Sequence, residues 1–284
     1  MAEEKIVKAS EMRKLMIART QVPSDKKDYQ QKKTPDNPIL YLKKYGIKNI
    51  FRFIITHPDM DHLDGIKDLY TECNISNTWD TDNNKTIETG ANFAGYNKED
   101  WDFYLKIRNS KLSTTKRLTY FAAQENSYYT EDHIRILSPT SELLKNANKN
   151  GDYNDLSYVL LFTPPKTNNG NWKILFAGDS DNATWEHILA NHVAEVSNID
   201  VLFAPHHGRD SGRNFDFLKT LNPRVTLFGN ASSKHLAYNS YKPTRLTNNQ
   251  AGYIVLDIKD NEIIFDVKNY DFAKVYKDKR GWGE

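Results

Sequence analysis

The chain has 284 residues, 38% hydrophobic and 12% aromatic, enough to bury the core of one large α/β domain or two small ones. Its net charge of +2 is too small to mark the whole chain as a nucleic-acid binder, and no apolar run approaches the ~20 residues that span a bilayer. The single cysteine, Cys73, excludes a disulfide framework and makes a reducing, cytoplasmic setting the expectation.

Residues 1–36 read as a basic lead-in. The first 50 residues carry 12 Lys/Arg against 6 Asp/Glu, including the pairs Lys26-Lys27, Lys32-Lys33 and Lys43-Lys44. A solvated, disordered segment explains this surplus, and a phosphate-contacting arm is the alternative. Pro23, Pro35 and Pro38 predict a loop over 20–38, and "NPILYLKKYGI" predicts a short helix from Pro38 that closes at Gly46. "NIFRFIIT" is dense in β-branched and aromatic residues, the mark of a buried strand. The spacing of Leu63, Ile66, Leu69 and Tyr70 predicts one helix from His62 to Cys73. The acidic cluster of "HPDMDH" therefore sits on the turn between strand and helix, where open α/β folds bind ligands.

Residues 74–130 are polar and aromatic and read as an insertion covering a pocket, with one helix at "KEDWDFYLKIRNSKL". Beyond it, "HIRILSPT", "LSYVLLF", "WKILFAGD", "IDVLFAPHHG" and "NPRVTLFG" are predicted strands, and "NATWEHILANHVAEV" an amphipathic helix with Trp185, Ile188 and Leu189 inward. "GYIVLDIKDNEIIFDVK" closes the chain as a hairpin turned at Asp260-Asn261. Alternating strands and helices indicate an α/β domain over 37–284.

Three predicted strands end in metal-ligand residue types: His57, Asp59, Asp61 and His62 after the first, Asp179 after the second, and His206 and His207 after the third. Imidazole and carboxylate without thiolate suit zinc, manganese or iron. Neighbouring carboxylates repel one another unless a cation sits among them, which favours a metal over surface charge.

"THPDMDH", "FAGDS" and "APHHGRDSG", in this order, resemble the metallo-β-lactamase superfamily, and within it the branch typified by the hydrolase domain of the DNA-uptake protein ComEC. That branch writes His-x-Asp-x-Asp-His where most relatives have His-x-His-x-Asp-His. The likeness runs from about Ile39 to Val267, with "ILSPT", "NDLSYVLLF" and "TNNQAGYIVLDI" as secondary signatures. It implies an αββα sandwich of two mixed β-sheets flanked by helices, although the usual N-terminal strands and their Asp-x-Gly turn are missing before Asn37. It also implies two divalent ions, zinc or manganese. His57 and Asp59 would face one, Asp61 and His62 the other, with Asp179 bridging and His206 completing the second site; His207 is the alternative there and otherwise a substrate contact. Asn154 stands where many relatives have a histidine, so the first site would bind loosely or prefer manganese. Arg209 would position a substrate phosphate, and His235 matches a position near the pocket that suits a proton donor or phosphate contact.

The resemblance thus implies a metal-dependent phosphodiesterase in which Asp61 and His235 are catalytic and a phosphoester, nucleic acid or nucleotide, is cleaved by hydroxide held between two cations. Lactone or thioester hydrolysis on the same site is one alternative, and a non-catalytic metal-binding or regulatory module is another. His133, His187 and His192 are expected to be surface or packing residues. The absence of a Gly-rich phosphate loop, a G-x-S-x-G elbow or a Cys-His pairing leaves nucleotide-triphosphate and covalent-nucleophile mechanisms without support.

Overall fold

A computed structural model describes residues 7–8, 31, 34–88, 90–93, 95–167, 170–242 and 244–273. The lead-in expected over 1–36 lies outside the described residues except at 7–8, 31 and 34–36. In chain order the strands are β1 Val7–Lys8, β2 Asn49–Ile54, β3 Asn74–Trp79, β4 Lys116–Leu118, β5 Ile134–Ser138, β6 Val159–Phe162, β7 Pro165–Lys166, β8 Gly170–Asn171, β9 Ile174–Phe176, β10 Val201–Phe203, β11 Val225–Phe228, β12 Arg245–Thr247, β13 Ile254–Ile258 and β14 Ile263–Val267. The largest sheet has the order β12-β11-β10-β9-β6-β5, with its first four strands parallel and β6 and β5 antiparallel. A second sheet, β2-β3-β4, is parallel, a third, β1-β14-β13, is antiparallel, and β7 and β8 form a small hairpin.

Side chains alternate between the two faces of a strand, and this assigns the layers. Leu161, Leu175, Leu202 and Phe228 face one side of the large sheet, where Trp185 and Ile188 of the helix Asn182–Asn191 and Phe217 and Leu221 of Phe217–Leu221 cover them. Ile174, Val201, Val225 and Leu227 face the other side and meet Ile263, Phe265 and Val267 of β14. Trp79 at the end of β3 packs on Ile136, Tyr158 and Leu160, joining the parallel sheet to β5 and β6. Ile55, next to β2, lies instead under Trp101, Tyr104 and Ile107 of the helix Lys98–Arg108. The chain is mixed α/β: sheet faces pack on each other, and helices cover the outside. Among the described residues no helix is long and apolar enough to cross a membrane.

Several elements differ from the sequence reading, among them the helix predicted over 182–196, which is interrupted at His192 into Asn182–Asn191 and Val193–Val196. The helix predicted from His62 to Cys73 is broken into Met60–Leu63 and Ile66–Glu72, with Gly65 between them at φ 79°. Asp100 is responsible: its carboxylate accepts hydrogen bonds from the N–H groups of Gly65 (3.0 Å) and Lys67 (2.9 Å), capping the second helix from 33 and 35 residues away. Asn74–Trp79, read as the start of an insertion, is a strand beside β2. Its polar residues are buried because they have partners there: Asn77 donates to the Phe51 carbonyl, and Thr78 bonds Tyr70 and Thr115.

Asp80, directly after β3, is fully buried and accepts hydrogen bonds from the Tyr104 hydroxyl (3.0 Å) and Arg117 Nε (3.2 Å). Burial raises its carboxyl from 3.8 to about 6, against the opposing pull of Arg117 and Tyr104. A folded value above the unfolded one means that protonated Asp80 favours the fold at low pH, and that this contribution is lost as pH rises through about 6. The stability of the native chain relative to Asp80→Asn is therefore expected to fall by about 2–3 kcal/mol between pH 4 and pH 7, measured by urea unfolding.

Candidate metal centre

The tip of β2 carries "THPDMDH" into the short helix Met60–Leu63. Thr56 Oγ1 lies 3.2 Å from His57 Nδ1 and 3.3 Å from His62 Nδ1. A hydroxyl oxygen has two lone pairs, so both rings can donate to it, which turns both Nε2 lone pairs toward the pocket. Both Nε2 atoms are buried without a hydrogen-bond partner. His62 Nε2 stands 3.1 Å from Asp179 Oδ1, close enough for ionic pairing but off the line of a hydrogen bond.

Asp179 arrives from the end of β9, and its N–H donates to Ser157 Oγ at 3.1 Å. Gly178 before it has φ +55°, and a Cβ there would sit 2.9 Å from Ser157 Cβ. From β10, His206 (φ 50°, ψ 47°), His207 (φ 58°, ψ 11°) and Gly208 (φ 82°) run successively through the left-handed region. That conformation costs roughly 1–2 kcal/mol per non-glycine residue, so packing must impose it. His206 N–H donates to the Gly178 carbonyl at 3.0 Å, and the Phe228 ring abuts Gly208 so closely that a Cβ there would meet it at 2.9 Å. Gly229 leaves room for the His207 ring: a Cβ at 229 would lie 2.7 Å from His207 Nδ1.

His207 Nε2 is 3.2 Å from Asp61 Oδ2 and 3.7 Å from Asp179 Oδ2. The ligand atoms of Asp61, His62, Asp179 and His207 all lie within 4.8 Å of one another. Donors on one zinc ion at about 2.0–2.2 Å would be some 3.5 Å apart, so small side-chain rotations close this set. His57 Nε2 flanks it, 3.9 Å from Asp59 Oδ1 and 4.0 Å from Asp179 Oδ2.

The charges balance within the cluster. Burial raises the Asp61 carboxyl, but the His207 hydrogen bond and nearby His62 outweigh it and bring it to about 2. Burial also opposes ionisation of Asp179, and its contact with His62, then His57 and His207, holds it well below the usual carboxylate range. Burial lowers His62, but Asp179 and Asp61 reverse the sign and raise it. His57, buried and beside His62, is lowered to about 4 and so keeps the neutral ring a metal requires. The chemistry of the donors and the buried His57 Nε2, which has no hydrogen-bond partner, fit a divalent cation.

His207 belongs to the four-donor group and His206 does not. Arg213 Nη2 faces His206 Nδ1 at 3.1 Å, and a guanidinium can only donate. The His206 Nδ1 must therefore accept, which leaves the proton of the neutral ring on Nε2, 3.8 Å from Asp179 Oδ2. Asp59 does not join the four-donor group, because its Oδ1 is paired with Lys85 Nζ at 2.5 Å. Arg209 lies close enough to lower the neighbouring His206 further, although burial is the main cause of that shift. Asn154 is half-buried on the turn Asn154–Leu156, and His235 is exposed; among the described residues no hydrogen bond or ion pair ties either side chain to the donors. The His235 carbonyl does accept from Asp210 N–H at 2.7 Å, so its loop adjoins the one carrying the histidines.

Sequence reasoning missed Thr56, Ser157, Lys85 and Arg213. The Arg213 guanidinium is buried, donates to the Ser180 carbonyl at 2.6 Å and stands 3.7 Å from Asp181 Oδ2. None of these four residue types is distinctive at its position; only "TH" at the strand tip hinted that a hydroxyl could serve the adjacent ring. A comparison with models of protein families gives no match to this chain, and no curated protein matches it.

Replacing His207 by Ala is expected to weaken zinc binding by on the order of a hundredfold, and His206→Ala by about tenfold or less, as measured by competition with a chromophoric chelator. Gly229→Ala should act like a weakened His207→Ala, because its methyl collides with the ring that Gly229 accommodates.

Proposed function

We propose that the chain is a metal-dependent hydrolase of the metallo-β-lactamase type, acting on a phosphodiester such as nucleic acid or a nucleotide. The observation that carries this reading is the meeting of donors from the β2, β9 and β10 tips around Asp179, with the His57 Nε2 buried and without a hydrogen-bond partner. Asp61, His62, Asp179 and His207 would hold a cation, with His57 and Asp59 beside them. A divalent ion bound there supplies Lewis acidity and a lowered pKa for water.

The remaining work belongs to the protein. Thr56 orients two imidazoles, Ser157 fixes the Asp179 backbone, and Arg213 fixes the His206 tautomer. A phosphodiester arrives with one negative charge and gains more in its transition state, so fixed donors aimed at that charge contribute most. Arg209 and Lys85 are cations flanking the donor cluster, and the His206 Nε2–H is a donor within it. These groups favour a phosphoryl substrate over a neutral lactone or thioester. The layering of sheet on sheet with helices outside agrees with the αββα sandwich of that superfamily.

Protein loaded with zinc or manganese is expected to hydrolyse bis(p-nitrophenyl) phosphate or single-stranded DNA and to lose this on chelation. Asp61→Ala and His62→Ala should each lower turnover by more than about a hundredfold, and undiminished rates in both would reject the reading.

A further inference from the structure

Lys85 belongs to the segment between β3 and the helix Lys98–Arg108, far in sequence from every ligand-type motif. Its Nζ lies 2.5 Å from Asp59 Oδ1, the oxygen that also stands 3.9 Å from His57 Nε2. We infer that the Lys85 ammonium occupies the place of a second cation, so that the chain binds one divalent ion tightly and leaves the subsite of His57, Asp59 and Asp179 closed to another. This rests on the metal-site reading above and adds to it a stoichiometry and the residue that sets it.

The second subsite has ligand-type side chains, though they are spread more widely than the four-donor group. His57 Nε2 is fully buried, lacks a hydrogen-bond partner and stands between two carboxylates, 3.9 Å from Asp59 Oδ1 and 4.0 Å from Asp179 Oδ2. It also differs from the neighbouring four-donor group in having a cation already on Asp59. An ammonium this near a carboxylate oxygen competes directly with a metal ion for it. It also repels a divalent charge a few Å away.

The lysine is held in position rather than loosely collapsed onto an acid. Its side chain is about one-fifth exposed and its Nζ sits 5.3 Å from the Tyr153 ring centroid. Its backbone N–H donates to Asn83 Oδ1 at 3.2 Å and its carbonyl accepts from Arg108 Nη1 at 2.7 Å. Asn84, next to it, donates twice to Asn148, from its backbone N–H to Oδ1 at 2.9 Å and from Nδ2 to the carbonyl at 3.1 Å. The segment is thus anchored on both sides of Lys85, which aims the ammonium at Asp59 before any ion arrives.

The test is zinc and cobalt stoichiometry, by calorimetric titration and by metal analysis after equilibrium dialysis, on the wild-type protein, Lys85→Met and Lys85→Arg. Methionine keeps the apolar stem without the charge, and arginine keeps the charge. The expected result is about one ion per chain for the wild type and Lys85→Arg, and about two for Lys85→Met. Two ions in the wild type, or one in a folded Lys85→Met, overturns the role of Lys85 while leaving a metal site in place. No ion in the wild type removes the metal-site reading itself. The wild-type measurement decides the stoichiometry even if Lys85→Met fails to fold.

Discussion

Three carboxylates, Asp59, Asp61 and Asp179, share a small, partly desolvated space, and their mutual repulsion is the constraint around which this end of the molecule is organised. Each has its own compensation. Lys85 sits on Asp59, His207 on Asp61, and His62 with His57 on Asp179. The opposed shifts of His62, raised, and His57, lowered, follow from that arrangement: His62 stands closer to Asp179, while His57 is buried deeper and beside His62. A divalent cation among these donors would take over the compensation that His62 provides in its absence.

Rigid strands make such a crowded group tolerable. β9 and β10 are parallel neighbours, so Asp179 and the two histidines leave the large sheet at the same edge. β2 belongs to another sheet, but the Tyr158 N–H donates to the Thr56 carbonyl at 2.9 Å and ties its tip to the chain entering β6. Two consecutive histidines in the left-handed region would be unstable in a free loop. Here the Gly178 carbonyl, Arg213 and the close Phe228–Gly208 contact over-determine the conformation, as expected where strain is kept for a purpose. The result is that His206 and His207, adjacent in sequence, present different chemistry. One ring is locked by a guanidinium with its proton toward Asp179, and the other hydrogen-bonds Asp61 and joins the four-donor group.

The polar segment between β3 and β5 has the same double character. From its composition it reads as a cover over a pocket. In the structure, β3 and β4 extend a sheet, Asp80 is buried beneath Tyr104 and Arg117, and Lys85 reaches Asp59 of the candidate metal centre. One stretch of chain therefore contributes core, electrostatics and site. Its polar residues are affordable inside because nearly every one has found a partner.

Local pattern determined a good deal. The apolar runs of β2, β6, β9, β10 and β11 announce strands, "NEIIFDVK" announces the closing hairpin, and the order of His, Asp and His-His at strand ends shows which residues are chemically equipped. These features are local: period-two alternation, turn residues and ligand type are properties of a few neighbouring positions. Tertiary structure alone decided the rest. The break at Gly65 needs Asp100, the assignment of β3 needs β2 beside it, the choice between His206 and His207 needs Arg213, and the fate of Asp59 needs Lys85. In each case the deciding group lies at least a few, and in most cases more than twenty, residues away, and a hydrogen bond or ion pair formed only when the chain closes overrides what the local pattern allowed.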